Sequence, residues 1–291
     1  MSTEPIVVAT DGSEESLRVV DWAAREAVLR GAPLRIVSGA ELLPRMMERE
    51  QGHGLDIVTD TLTEDRDHAL VAASQRAAKV SADLLIDTDH LTGAPALAVT
   101  ESGSGALMLV VGSRGAGAFT ALLLGSVSRY AATHASCPVV VVRDDTGGAR
   151  RQVAVGIGDP ESSATSLTFA FEEAAARKAA LLAVHAWNTP QSGMERAMSA
   201  LNAPGAHTME QELARRLKAL VEEWQAKYPD VEVSQDVLYG HPGRALAGLS
   251  TRADLVVIGR HPGRHGIHGP GAVTHAVLNH AHGPIVTVPS P

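Results

Sequence analysis

Leu107–Ser126 reads LMLVVGSRGAGAFTALLLGS. Its first five residues, Leu107 to Val111, are all apolar and run straight into Gly112-Ser113-Arg114-Gly115. A short run that is apolar on both faces fits a buried central strand, of the kind found in parallel sheets. Nine residues separate Gly115 from Gly125-Ser126, a pair that leads into Val127-Ser128-Arg129-Tyr130-Ala131-Ala132. That pair opens a predicted helix, with Ser126 in the cap-like position. Glycines let the backbone take unusual angles and approach a ligand closely. The N–H groups at a helix start, together with the helix dipole, attract an anion such as phosphate. The loop is therefore expected to hold the phosphates of a nucleotide.

The stretch occurs twice. Leu109-Val110-Val111-Gly112 corresponds to Val256-Val257-Ile258-Gly259, and Ile6-Val7-Val8-Ala9-Thr10 to Val153-Ala154-Val155-Gly156-Ile157. Gly93-Ala94-Pro95 corresponds to Gly240-His241-Pro242, an offset of 147 positions that the other pairs share. The offset falls to 146 where Cys137-Pro138-Val139 meets Gly283-Pro284-Ile285. Self-similarity at a fixed spacing means a repeated structural unit. Two copies of one domain are expected, 1–144 and 151–291, joined by the polar, glycine-containing segment Asp144–Arg151.

Within the first copy, Ile6–Thr10 is expected as strand one. Ser13–Arg30 is expected as a helix with Leu17, Val20, Trp22, Ala24, Ala27 and Val28 on its apolar face, stopped by Gly31-Ala32-Pro33. Leu34–Ser38 reads as strand two, Glu41–Gly54 as a movable flap, and Asp56–Val80 as a long helix. Strand three is placed at Leu84–Asp89, a helix follows Gly93-Ala94-Pro95, and Val139–Val142 is strand five. Alternating strands and helices give an α/β fold, a five-stranded parallel sheet with helices on both faces in each copy. Ligands of such sheets bind beyond the strand C-terminal ends, where the strand order reverses. Thr10-Asp11 and Gly112 both fall at such ends.

Composition narrows the class. The 291 residues are 45% hydrophobic and 20% charged, with a net charge of -8, and the mean hydropathy is +0.02. This is the profile of a globular protein, and its acidity argues against a nucleic-acid surface. Cys137 is the single cysteine, so no disulfide forms within the chain and a reducing cytoplasm is expected. No apolar run approaches the ~20 residues of a membrane span, and the N-terminus does not read as a secretory signal.

Each loop residue has two readings. Asp11-Gly12-Ser13 suits a turn with a helix cap. A functional Asp11 would instead bond a ribose or adenine, or hold a metal. Gly112 and Gly115 suit a tight turn as well as a phosphate loop, and Arg114 suits a surface position as well as a phosphate clamp. The nicotinamide-dinucleotide fingerprint belongs after strand one, where only Gly12 stands. No Gly-Lys-Ser/Thr of a P-loop and no nucleophile elbow occurs.

Thr10-Asp11-Gly12-Ser13, together with Gly112-x2-Gly115-x9-Gly125-Ser126, resembles the universal stress protein family, and the tandem layout resembles its two-domain actinobacterial members. The resemblance covers nearly all of both copies. It implies two Rossmann-like domains of the adenine nucleotide alpha hydrolase-like type. It also implies ATP, with Mg²⁺, as ligand of the first copy. By that resemblance Ala9, Thr10 and Asp11, with Gly39 after strand two, meet adenine and ribose. Gly112, Gly115, Gly125, Ser126 and Val127 wrap the phosphates, and Ser113 and Arg114 lie beside them. It further implies a homodimer through the strand-five edges, pairing of the two copies, and a signalling protein that reads nucleotide occupancy.

The second copy departs from the pattern. Gly158 replaces the aspartate, with Asp159 displaced by one, Pro262 replaces the second glycine, and Gly271-Ala272 replaces Gly-Ser. Its site is expected to be degenerate or turned to another ligand. Its histidines, among them His261, His265, His268, His275, His280 and His282, lack the spacing of a compact zinc motif. The functional expectation is an ATP-binding stress or regulatory protein. The alternatives are a slow ATP hydrolase, with Asp11 or His134 as base, and a scaffold that binds no nucleotide.

Overall fold

The computed structural model describes residues 3–39, 67–114, 124–143, 149–158, 163–188, 204–260 and 271–290. The chain divides into two compact units, Met1–Asp145 and Thr146–Pro291. The flap segment 41–54 and Gly115 lie outside the described residues.

Unit one is a parallel sheet in the order β3-β2-β1-β4-β5. Its strands are β1 (Ile6–Ala9), β2 (Leu34–Gly39), β3 (Ile86–Leu91), β4 (Met108–Gly112) and β5 (Val139–Val142). Ile6 aligns with Leu34 on one side and Met108 on the other. The strand order therefore reverses between β1 and β4. The three apolar residues of β1 and the four valines of β5 are buried, as strands covered on both faces require. β3 is different: Asp87, Thr88, Asp89 and His90 are exposed, and Asp87 accepts from Arg35 Nε at 3.1 Å. Its mixed pattern places it two residues beyond the expected Leu84–Asp89, at the outside of the sheet.

Helix α1 (Glu14–Arg30) begins at Ser13, whose side chain accepts the Ser16 N–H, and ends at Gly31 in the left-handed region (φ 59). Ala32 N–H reaches back to the Ala27 carbonyl at 2.9 Å, which closes the C-terminal turn. The buried face is Ser16, Val19, Val20, Ala23, Ala24, Glu26 and Ala27. This corrects the expected face: Val28 is 46% exposed, because the stripe runs through the small alanines that let the helix approach the sheet. Helical backbone over 67–78, labelled α2, buries Ala69, Leu70, Ala73 and Ala77 at helical spacing. Arg76 of α2 reaches both carboxylate oxygens of Asp21 at 2.9 Å and Glu14 at 2.7 Å. Those hydrogen bonds push the guanidinium pKa above its ordinary value and lock α2 to α1.

Gly12 is where the turn after β1 needs glycine. It has φ +80, and a Cβ there would stand 2.9 Å from the Ala69 Cβ. Gly12→Ala is expected to destabilise the chain by about 1–3 kcal/mol, read as a lower urea midpoint at unchanged slope. The remaining helices of unit one are α3 (Pro95–Ser102) and α4 (Ser126–His134).

Unit two repeats the order as β8-β7-β6-β9-β10, all parallel. Its strands are β6 (Gln152–Gly156), β7 (Ala180–Trp187), β8 (Val233–Tyr239), β9 (Leu255–Arg260) and β10 (Ile285–Pro289). Its helices are α5 (Ala164–Arg177), α6 (Pro204–Gln225), α7 (Pro242–Leu249) and α8 (Ala272–His280). Phe171 of α5 is wholly buried and stacks on Tyr228, ring centroids 5.3 Å apart. The buried Glu26–Arg30 pair of α1 recurs as Glu173–Arg177 in α5.

Candidate functional site

A cleft of about 380 Å³ opens in unit one at the C-terminal ends of β1 and β4, where the strand order reverses. That is within the range of small-molecule sites, about 300–1,000 Å³. Of the residues singled out in the sequence, Ala9, Thr10, Asp11, Gly39, Gly112, Arg114, Gly125, Ser126 and Val127 line it together. Ser113 does not: it is 8% exposed and outside the lining. Gly115 is not among the described residues.

One wall is the turn after β1. Thr10 N–H donates to the Val37 carbonyl at 2.9 Å, which fixes the turn to β2. The Thr10 and Ser16 hydroxyls are 2.9 Å apart, and Gly12 N–H donates to Thr10 Oγ1 at 3.2 Å. Asp11 Oδ1 accepts from the Ser13 N–H at 3.0 Å and from the Ser13 hydroxyl at 2.6 Å. Asp11 thus acts as a turn residue and also faces the cleft, so the two readings of it are compatible. The bonds orient its carboxylate in advance.

The opposite wall is the start of α4. Gly125 N–H donates to the Ser113 carbonyl at 2.9 Å, and Ser113 N–H to the Val142 carbonyl at 3.0 Å. These bonds bring the two ends of the glycine loop to one point beside β5. The Ser128 hydroxyl donates to the Gly112 carbonyl. The N-cap is Gly125, with no side-chain cap, and Ser126 is the first helical residue. This corrects the cap-like placement of Ser126. Its exposed hydroxyl and the N–H groups of the first turn are left facing the cleft, because no cap side chain covers them.

Gly112 acts through a missing Cβ rather than through an unusual angle. Gly112 and Gly125 are not among the positive-φ residues. A Cβ on Gly112 would lie 3.2 Å from Val19 Cγ2 and 3.3 Å from the Arg114 carbonyl, so the strand end has no room for one.

Sequence reading missed part of the lining: Ser16, Pro95, Val99, Val111 and Ser128. Pro95 and Val99 stand one turn apart on α3 and form an apolar wall. The one available signal was that Gly-x-Pro opens the same helix in both copies. His134, a candidate base, lies outside the cleft at the far end of α4. It stacks on Tyr130 at 4.1 Å, with its Nδ1 2.7 Å from the Thr133 hydroxyl.

Unit two has a cleft of about 300 Å³ in the equivalent place. Position by position, Gly156, Ile157 and Gly158 stand for Ala9, Thr10 and Asp11, and Ala186 stands for Gly39. Leu246 stands for Val99, Ala272 for Ser126 and Thr274 for Ser128. His275 is exposed and outside the lining, its ring nitrogens 3.2 Å from the Asn279 amide nitrogen. Among the described residues no cluster of His, Cys, Asp or Glu has the makings of a metal site. No helix among them is long and apolar enough to cross a membrane.

A cleft at the switch point of a doubly wound sheet, present twice in one chain, defines a tandem Rossmann-like protein. The model of the universal stress protein family matches residues 2–143 and again 149–289. A universal stress protein of Mycobacterium tuberculosis and one of Mycobacterium bovis are each 34% identical, over 97% of this chain and 95% of theirs. The crystal structure of a universal stress protein from Archaeoglobus fulgidus aligns over 99% of this chain and 96% of its own. Its TM-score is 0.67 at 18% identity, a likeness of fold. The chain belongs to the universal stress protein family, as a tandem member.

Proposed function

We propose that unit one binds ATP with Mg²⁺ and that occupancy controls how the protein associates in the stress response. The observation that carries this reading is the pairing of walls in the unit-one cleft. A pre-oriented carboxylate, Asp11, faces an uncapped helix start, Gly125-Ser126, across a floor ending in Gly112. The carboxylate suits ribose or adenine donors, whereas the helix start suits phosphate oxygens. Pro95 and Val99 offer apolar contact to a base, and the partly buried Arg114 adds positive charge beside the phosphates. Mg²⁺ would be held mainly by phosphate oxygens and water, with Asp11 as the carboxylate that the described cleft offers. It supplies charge neutralisation to the triphosphate.

Control requires that ATP favour one conformation over another, since equal affinity for both shifts nothing. A signalling protein or a second copy of the chain then reads the difference. Scattering mass with and without ATP tests this, and a constant single-chain mass removes the homodimer. Turnover has less support. With His134 outside the cleft, Asp11 is the one candidate base left from the sequence reading, and it is engaged by Ser13.

The decisive experiment is calorimetric titration of the full chain with MgATP. Asp11→Ala removes a charged acceptor and is expected to weaken binding about 10- to 100-fold. Gly158→Ala, at the equivalent place in unit two, is expected to leave binding unchanged. Equal effects in the two units contradict the assignment of ATP to unit one.

A further inference from the structure

The unit-two cleft has kept its position and most of its room while exchanging the groups that would meet a nucleotide. Ile157 stands where Thr10 offers a hydroxyl, Gly158 where Asp11 offers a carboxylate, and Ala272 where Ser126 offers a second hydroxyl. A nucleotide placed there would lose its ribose acceptor and the Ser126 and Thr10 hydroxyls, keeping only the uncapped start of α8 for its phosphates.

The exchange is more than loss. Leu246 is larger than the Val99 it replaces, and it sits over Gly156, which is smaller than Ala9. A Cβ on Gly156 would lie 2.7 Å from Leu246 Cδ1. The two substitutions fit one another and build an aliphatic floor of Leu246 and Ile258. Here about 300 Å³ remains open between that floor and α8. The polar side chains left in the lining are Ser163 and Thr274, with exposures of 2% and 6%.

We propose that this cleft is a second binding site, for a compact uncharged molecule with a hydrocarbon or aromatic body and a single hydroxyl-type polar group. The body lies on Leu246, Ile258 and Ile157, and the polar group reaches the Thr274 or Ser163 hydroxyl. No cationic or carboxylate side chain lines the described cleft, so an anion would meet only the backbone at the start of α8, and a neutral ligand is favoured. The site is chemically orthogonal to the ATP cleft of unit one and does not rest on that reading.

The test uses the full chain with 2-naphthol as the neutral probe, 1-naphthyl phosphate as its anionic counterpart, and methyl-resolved NMR. In the wild-type chain, saturating 2-naphthol is expected to shift the methyl resonances of Ile157, Leu246 and Ile258 with one site per chain, in the presence or absence of MgATP. 1-Naphthyl phosphate is expected to leave those methyls unmoved. The triple variant Ile157→Thr, Gly158→Asp, Ala272→Ser, which restores the polar set of unit one, is expected to weaken the probe at least about tenfold. Asp11→Ala is expected to keep probe binding in full, so failure of the ATP reading is told apart from failure of this one. The inference is overturned if the naphthyl phosphate shifts those unit-two methyls, or if millimolar 2-naphthol moves none of them. The wild-type shifts decide the matter even if the triple variant does not fold.

Discussion

Ser126→Glu is expected to reduce MgATP binding to the full chain at least about 100-fold without lowering its melting temperature. Ser126 is the exposed first residue of α4 and lines the unit-one cleft. A carboxylate there sits beside the proposed phosphates. Two like charges 4 Å apart repel by about 4 kcal/mol at the screening typical of a protein surface. A triphosphate multiplies that, and about 2.7 kcal/mol already amounts to a hundredfold. For the fold the same substitution is favourable, because an acidic residue in the first turn complements the helix dipole by about 0.3–1 kcal/mol. Binding and stability therefore move apart, which separates loss of a ligand contact from loss of structure. Ala272→Glu, the counterpart in unit two, is expected to leave ATP affinity untouched. Calorimetry and a thermal melt on the two variants check both halves, and an unchanged affinity in Ser126→Glu overturns the phosphate assignment.

The largest expected effect on stability is that of Phe171→Ala. Phe171 has no exposed surface and stacks on Tyr228 at 22° between ring planes. Removing the ring deletes its buried area and leaves a cavity, at a cost of about 3–5 kcal/mol. For a unit of this size each kcal/mol lowers the melting temperature by roughly 2–4 °C. Urea denaturation of the full chain is the direct measurement. Burial, with a smaller contribution from Glu172, holds the Tyr228 phenol above its ordinary pKa, so the ring pair stays neutral through neutral pH. Tyr228→Phe keeps the stack and is expected to cost far less. A small loss in Phe171→Ala would mean that α6 and its neighbours collapse into the vacated space.

What could be read ahead of the structure follows from which signals are local. β1, β4 and β5 are continuous apolar runs, so their places follow from burial on both faces. β3, IDTDHL, has neither a continuous run nor a clean alternation, since four consecutive residues are exposed. Its position is set by pairing with β2, which no local pattern encodes. The buried face of α1 was misjudged for a related reason. Large side chains such as Trp22 and Val28 dominate a hydropathy pattern, whereas close helix–sheet packing adds Val19 and Ala23 to the expected Val20, Ala24 and Ala27. The cleft's first wall was visible because Thr10-Asp11-Gly12-Ser13 is contiguous. Pro95 and Val99 were not, because only the crossover through α3 carries them to the ends of β1 and β4. Residue type favours Ser126 as the cap, whereas the turn into α4 puts Gly125 there.

β3 has a further consequence. An outermost strand offers unpaired backbone donors and acceptors to any extended chain that drifts by, and that is how strand addition spreads into fibrils. Here such an intruder would have to settle alongside Asp89 and the ion-paired Asp87 and Arg35, charged groups facing solvent along the strand. The charge makes that margin of unit one a poor template. At this edge the described sheet carries its own guard against strand addition.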